Sequence, residues 1–427
     1  MRVSHVAWNL GGLTLPLLVA AFTVPSLIER LGYERFGLLA LAWGLIGYAG
    51  ALDLGLGRAL TQMVARLRGE GNLADVPNTL ATAGQITLLT GLTAGMLIAF
   101  FALLGGAEYI RTQTTPATEI TVAVLLLAIA LPAQAMSATY KGLNEAFLNF
   151  RGISLLRAGL GVVNFGGPYL VSFFTIQLPW LVSTLVLSRL LSLLIYRHMA
   201  QTCLRAQVEV DANGIYTPQI AKKLFSFGGW VTISSVISPI LVQADRFIIA
   251  FTISAAAVSV YVLPYEVVVQ SLVLVGAISS VMFPGLSQLM GEQPEQWQAY
   301  FKKWLQRVVL LMAGVCLLIA LLLPWMLNLW IGENLNQKSI QVGQILCIGV
   351  FASSIGAMYY AMIHAQGRAD VTAKFHLFQL PLYLILLYVL VHNFGILGAA
   401  IAWSIRTSID AMGLTLYARS KIYPRHR

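Results

Sequence analysis

The chain has 427 residues, of which 58% come from the set AVILMFWYC and 10% are charged, with 27 Lys and Arg against 17 Asp and Glu for a formal net charge of +10. Soluble domains carry about 25% charged residues, and so few charges cannot coat a folded chain of this length. The composition excludes a soluble enzyme, a nucleic-acid-binding protein and a disordered scaffold, and leaves a polytopic membrane protein with little room for an extramembrane domain.

A hydrocarbon span takes about 20 mostly apolar residues. Runs of that kind fall at 6–28, 36–59, 80–104, 119–139, 153–175 and 179–197, and again at 225–251, 255–285, 304–327, 339–364, 375–393 and 395–418. They predict an all-α integral membrane protein of twelve transmembrane helices. The first run contains Asn9, Pro16 and Pro25 and is too long for the core of a signal peptide, so it reads as a span. With the N-terminus in the cytoplasm, Arg66, Arg68, Lys222, Lys223, Lys302, Lys303, Arg368 and Lys374 fall on cytoplasmic connections, whereas outer connections hold Arg30, Arg35, Arg111 and Lys338. That bias is the positive-inside pattern and puts both termini in the cytoplasm. It also explains the net positive charge without a polyanionic partner.

The longest polar connection divides the chain into an N-terminal lobe at 1–197, a cytoplasmic linker at 198–224 and a C-terminal lobe at 225–427. The lobes echo one another. Pro16 precedes the turn residues 31–37 by about the interval at which Pro239 precedes residues 253–259, and each stretch leads into a second long helix. Two pseudo-symmetric six-helix lobes around a central cavity are the expected architecture, because transporters built from related halves place the substrate path between them.

Charges inside spans are the informative residues, since each costs about 2.5–3.5 kcal/mol to insert and normally faces a cavity, a partner or a pathway. Arg189 precedes the boundary residue Arg197 by roughly 12 Å at about 1.5 Å per residue, so it either pairs with an acid on a neighbouring helix or lines an anion path. Arg157 is close enough to its helix end to snorkel. Arg406 and Asp410, four apart on one helix face, can pair with each other. Arg189, Arg157 and Arg406 are the candidates for binding an anionic head group. Glu266, beside Pro264, and Asp410 are the candidates for gating or ion coupling. Asp53 reads as a local cap or pathway residue, and Asp245 with Arg246 as lobe architecture or pathway. The four arginines and four acids balance, so an anionic lipid head would make the loaded pathway negative, and outward movement would gain about 2.3 kcal/mol per charge per 100 mV.

The six histidines are scattered, the three cysteines suggest packing, and neither a metal-ligand cluster nor a nucleotide-binding or serine-hydrolase motif occurs. No metal site or other cofactor is expected. The Gly55 and Gly57 pair reads as close helix packing.

Three segments carry a family resemblance: Asn9-Leu10-Gly11-Gly12 through Leu15-Pro16-Leu17-Leu18, Leu31-Gly32-Tyr33-Glu34-Arg35-Phe36-Gly37-Leu38, and Leu52-Asp53-Leu54-Gly55-Leu56-Gly57-Arg58-Ala59. With Gly229-Trp230-Val231, Gln243-Ala244-Asp245-Arg246-Phe247-Ile248-Ile249 and Tyr261, the chain resembles Wzx-type polysaccharide flippases of the multidrug/oligosaccharidyl-lipid/polysaccharide exporter superfamily. The resemblance implies a bacterial inner-membrane flippase, not an enzyme. It would move an undecaprenyl-diphosphate-linked O-antigen or capsule repeat unit to the periplasmic leaflet by alternating access. Membrane lipids, a coupling H+ or Na+ and the polysaccharide polymerase machinery are the implied partners, and nucleic acid is not. Competing readings are a lipid II flippase, which usually has two further spans, a drug/cation antiporter, which favours an acid-rich cavity, and a polytopic glycosyltransferase or polymerase. The last needs a large outer loop, whereas residues 105–118 carry only Glu108 and Arg111 as charges.

Overall fold

The computed structural model describes residues 3–49, 53–206, 214–292, 296–332 and 335–422, and no β-strand occurs among them. The helices are α1 (Val3–Ala49), α2 (Leu56–Gly69), α3 (Val76–Leu103), α4 (Ala117–Ala146), α5 (Phe150–Val171), α6 (Leu178–Arg205), α7 (Pro218–Thr252), α8 (Ala255–Val269), α9 (Leu272–Glu292), α10 (Trp297–Ile331), α11 (Gln337–Ala365), α12 (Ala369–Phe394) and α13 (Ile396–Tyr417). Among the described residues, eight helical stretches are long and apolar enough to cross a membrane: Leu15–Gly47, Leu73–Leu103, Ala117–Ala146, Leu178–Arg205, Ala255–Phe283, Trp297–Ile331, Gln337–Ala365 and Asp370–Phe394. The helices α5, α7 and α13 are not among the eight, and they carry most of the intramembrane charges singled out in the sequence: Arg157, Asp245 and Arg246, and Arg406 and Asp410.

Local backbone chemistry sets a kink in the expected turn at 31–37 and breaks the apolar run that follows it. Gly32 has φ 72° and ψ 167° within α1, so α1 is two helical arms rather than one rod. The run at 36–59 is interrupted: the second arm is described as far as Ala49, and α2 begins separately at Leu56. Leu54 and Gly55 both have positive φ at that junction, a backbone region open mainly to glycine. The helix α2 is amphipathic. Leu56, Leu60, Val64 and Leu67 are buried with Val76, Leu143, Ala200 and Leu204, whereas Arg58 and Arg66 are exposed. Residues 153–197 do form two helices, α5 and α6, parted at 172–177.

The described chain folds as two compact units, Met1–Ile240 and Leu241–Arg427, which divide within α7 beside Pro239. In the first, α4 packs on α2, α3 and α6, while α1 packs mainly on α5. Small residues permit these approaches. A Cβ at Gly91 would collide with the Pro132 backbone on α4, and one at Gly142 with the Gly57 carbonyl on α2. Thr61 Oγ1 seals the second crossing by donating to the Gly142 carbonyl at 2.9 Å. Glu34 accepts hydrogen bonds from the amides of Gln113 (2.6 Å), Thr114 (3.0 Å) and Thr115 (2.8 Å) and from the Thr114 hydroxyl (2.8 Å), fastening α1 to the segment before α4. Glu119 binds Arg35 at 3.2 Å and accepts from the Leu178 amide at 2.7 Å, tying α4 to α1 and α6. Ile215 N donates to Asn78 Oδ1 (2.9 Å) and Thr217 N to Thr82 Oγ1 (3.0 Å), so the chain entering α7 is docked on the start of α3.

The second unit is built around α11, which packs against α8, α9, α10 and α13, with α12 lying on α13. Polar threads reinforce the packing. Ser404 Oγ donates to the Ile345 carbonyl and Ser339 Oγ to the Val260 carbonyl, both at 2.9 Å. Each satisfies a hydroxyl that would otherwise be stranded in an apolar interior.

Candidate functional site

In the first unit the site lies on the packed faces of α5 and α6. Arg189 on α6 is partly buried, and its Nη2 donates to Asn164 Oδ1 on α5 at 3.2 Å. Its Nε is buried without a hydrogen-bond partner. Asn164 is itself anchored, because its backbone carbonyl accepts from Trp43 Nε1 on α1 at 3.1 Å. The Trp43 ring lies 5.0 Å from that of Phe165. Arg157 sits two turns before Asn164 on α5, and the Tyr196 phenol, two turns after Arg189 on α6, is within electrostatic reach of both arginines. The structure therefore brings Arg157 and Arg189 into one neighbourhood. Of the two alternatives open for Arg189 in sequence, no acid partner is found: among the described residues no ion pair includes it. Its neighbour is a neutral amide, which orients a guanidinium without cancelling its charge.

Asp53 stands apart, in the turn that starts α2. Its Oδ1 accepts from the Gly55 amide at 2.9 Å and its Oδ2 from the Gly57 amide at 3.3 Å. These are first-turn donors that a helix cannot satisfy internally, so the carboxylate is occupied in holding the turn.

In the second unit the candidates divide into two groups. Asp245, fully buried, accepts from Tyr261 Oη on α8 at 2.5 Å and from the Arg246 amide at 2.8 Å. Arg246, 7% exposed, pairs with the half-exposed Glu266 of α8 at 2.8 Å and lies over the Tyr265 ring. The second group lies on α12 and α13. Arg406 is held between aromatic faces, its guanidinium carbon 5.4 Å from the Tyr383 centroid and 5.8 Å from that of Trp403. Its Nε is buried without a hydrogen-bond partner. Arg406 and Asp410 do not pair with each other. Asp410 instead faces His376 of α12, with Oδ1 to Nε2 at 3.5 Å.

Sequence reasoning missed Asn164, Tyr196, His376 and Tyr383. Asn164 and Tyr196 were reachable, each seven residues from a candidate arginine on the same helix and so on the same face. His376 was legible only as one of six dispersed histidines, because its acid lies on another helix. Among the described residues no group of three or more His, Cys, Asp or Glu is placed to hold a metal ion.

An all-helical membrane chain with arginines set into its helix packing, of which Arg189 and Arg406 form no ion pair among the described residues, has the make-up of an integral membrane transporter. The fold agrees: it superposes on the inward-facing structure of a multidrug resistance MATE family transporter of the MOP superfamily with a TM-score of 0.75, at 16% identity, over 97% of this chain and 98% of that one. Residues 3–290 match the polysaccharide biosynthesis protein family, and the chain belongs to that family. It is 30% identical over 423 residues to a Shigella flexneri protein named as an O-antigen transporter, covering 98% of each chain. It is 27% identical over 177 residues to the lipopolysaccharide biosynthesis protein WzxC of Escherichia coli K12, covering 40% of this chain and 36% of that one. The resemblance to polysaccharide flippases read from the motifs of the two halves holds.

Proposed function

We propose that this protein is a flippase of the bacterial inner membrane. It carries an undecaprenyl-diphosphate-linked oligosaccharide, the repeat unit of an O-antigen or capsule, from the cytoplasmic to the periplasmic leaflet by alternating access. In this reading the chain crosses the membrane twelve times with both termini in the cytoplasm, and lobes at 1–197 and 225–427, joined by the linker at 198–224, border a central cavity. The exporter-like fold and the O-antigen and lipopolysaccharide names of its relatives support the reading.

The observation that carries it is Arg189, a partly buried guanidinium oriented by a neutral amide, with Nε unpartnered and no ion pair among the described residues. Such a group has a charge and donors left for an anion, and guanidinium pairs with phosphate oxygens are charge-assisted and frequently bidentate. Arg157 shares that neighbourhood, and Arg406 is the corresponding cation of the second unit. Glu266 and Asp410 are the acids for gating or for coupling to H+ or Na+, with the membrane potential as a further drive on the anionic head. Polymerase machinery takes the product. An antiporter for cationic drugs is disfavoured by Arg189 and Arg406, which form no ion pair among the described residues.

Deletion of the gene tests the reading. Lipid-linked repeat unit accumulates on the cytoplasmic side and surface polysaccharide is lost. The wild-type gene restores the polymer, and Arg189→Ala, inserted at wild-type level, does not. Normal surface polymer in the deletion strain refutes the function. Normal polymer from Arg189→Ala refutes the site.

A further inference from the structure

The second unit contains titratable groups that anion binding does not use. His376 on α12 and Asp410 on α13 face each other at 3.5 Å, both largely shielded, with side-chain exposures of 15% and 21%. Two atoms of the pair are buried with no hydrogen-bond partner, Asp410 Oδ1 and His376 Nδ1. The pair sits at the end of a stack of rings. The His364 ring lies 4.1 Å from that of Tyr360 with the planes 24° apart, and the Tyr360 ring lies 6.4 Å from that of His376 with the planes 11° apart. His364 stands in the last turn of α11, beside the exposed residues Gln366 to Arg368, and its Nε2 is 3.0 Å from Thr372 Oγ1. Protonatable groups thus lead from a helix end to a shielded acid.

We propose that His376 and Asp410 form a proton-binding site, loaded from the α11–α12 end by way of His364 and Tyr360. Imidazole is the side chain that exchanges a proton near neutral pH, and here it faces a carboxylate across the helix pair. One proton from water bonds to the imidazole. The pair passes from carboxylate with neutral ring to carboxylate with imidazolium, singly negative to neutral, and returns the proton to water on release. The other charged or titratable groups on the packed helices are Arg406 and Tyr417 on α13, Lys338, Cys347, Tyr359, Tyr360 and His364 on α11, and Asp370, Lys374, Tyr383, Tyr388 and His392 on α12. Lys374 is already engaged by Asp370 at 3.3 Å. Arg406, one turn from Asp410, has no acid partner among the described residues, so occupancy of the site changes the field an anion meets at that guanidinium. A single carboxylate facing a ring nitrogen is a poor cage for Na+, which prefers several oxygen ligands.

The inference deepens the flippase reading and rests on it only for the lipid half of its test. Full-length protein is reconstituted in liposomes with an entrapped pH-sensitive dye, and undecaprenyl diphosphate is added as the probe under an imposed potential. Wild-type protein moves protons with the lipid, and replacing Na+ by K+ changes nothing. Asp410→Asn and His376→Gln, monodisperse and inserted normally, lose proton movement at least tenfold. Asp410→Glu retains it, and His364→Gln slows it several-fold. Lipid movement without protons in the wild type, or full proton movement in both His376→Gln and Asp410→Asn, overturns the proposal and leaves the flippase reading standing. Proton movement that depends on His376 without movement of undecaprenyl diphosphate keeps the site and sinks the carrier. Absence of both movements overturns the proton site outright.

Discussion

Asn164→Asp tests the anion site by adding charge without changing shape. The wild-type amide oxygen lies 3.2 Å from Arg189 Nη2. A carboxylate in its place forms an ion pair whose attraction is about 5 kcal/mol at an effective dielectric near 20. Desolvation consumes much of that, leaving about 1.5–3 kcal/mol, the range of hydrogen bonds to charged groups. An anionic head group must then displace this internal carboxylate, which weakens binding about 10- to 100-fold at 1.4 kcal/mol per tenfold. The fold is expected to melt at or above the wild-type temperature, because the new pair adds a contact. Asn164→Ala behaves differently: Arg189 stays cationic but less oriented, and binding falls only a fewfold. The assay is binding of undecaprenyl diphosphate to purified protein in nanodiscs, with thermal unfolding followed in parallel. Wild-type affinity in a well-folded Asn164→Asp protein refutes the reasoning, because it means that no anion competes for that guanidinium.

Three further outcomes are expected. Glu34→Ala removes four hydrogen bonds between α1 and residues 113–115, and lowers stability by about 1–3 kcal/mol on thermal unfolding; an unchanged melting temperature counts against that fastening. Glu266→Met takes the ion pair from the buried Arg246 guanidinium, and Arg246→Met takes the compensating charge from fully buried Asp245 as well as from Glu266, so both variants are destabilised, by up to about 3–5 kcal/mol. A wild-type melting temperature in either variant refutes that charge arrangement. Gly142→Leu drives a side chain into the Gly57 carbonyl at the α2–α4 crossing, an overpacking cost of about 1–3 kcal/mol or more, and gives low yield of monodisperse protein. Normal yield and stability would show that the crossing is looser than drawn.

The fold was legible from the sequence to the extent that hydropathy governs it. Long apolar runs such as 304–327 and 339–364 become α10 and α11, and the first stays helical through Pro324. Reading failed where backbone chemistry overrides hydropathy. Residues 36–59 look like one span, yet Leu54 and Gly55 take positive φ and Asp53 turns its carboxylate onto the amides that begin α2. That carboxylate, read in the sequence as a local cap or a pathway residue, accepts from main-chain donors at the start of α2.

The candidate site divides along a similar line. A lone intramembrane arginine is conspicuous because burial is costly, so Arg189 and Arg406 stand out in any reading of spans. What surrounds each depends on helix pairing, which one sequence does not encode locally. Arg406 and Asp410 have the spacing of an ion pair, but neighbouring helices offer better terms: the guanidinium lies between the Tyr383 and Trp403 rings, and the carboxylate turns to His376. Had the two paired, their fields would cancel and neither could respond to a ligand. Separated, each keeps an unpartnered buried atom. On the proposed reading, that separation leaves an anion a charge to meet at Arg406 and a proton a place to bind one turn away.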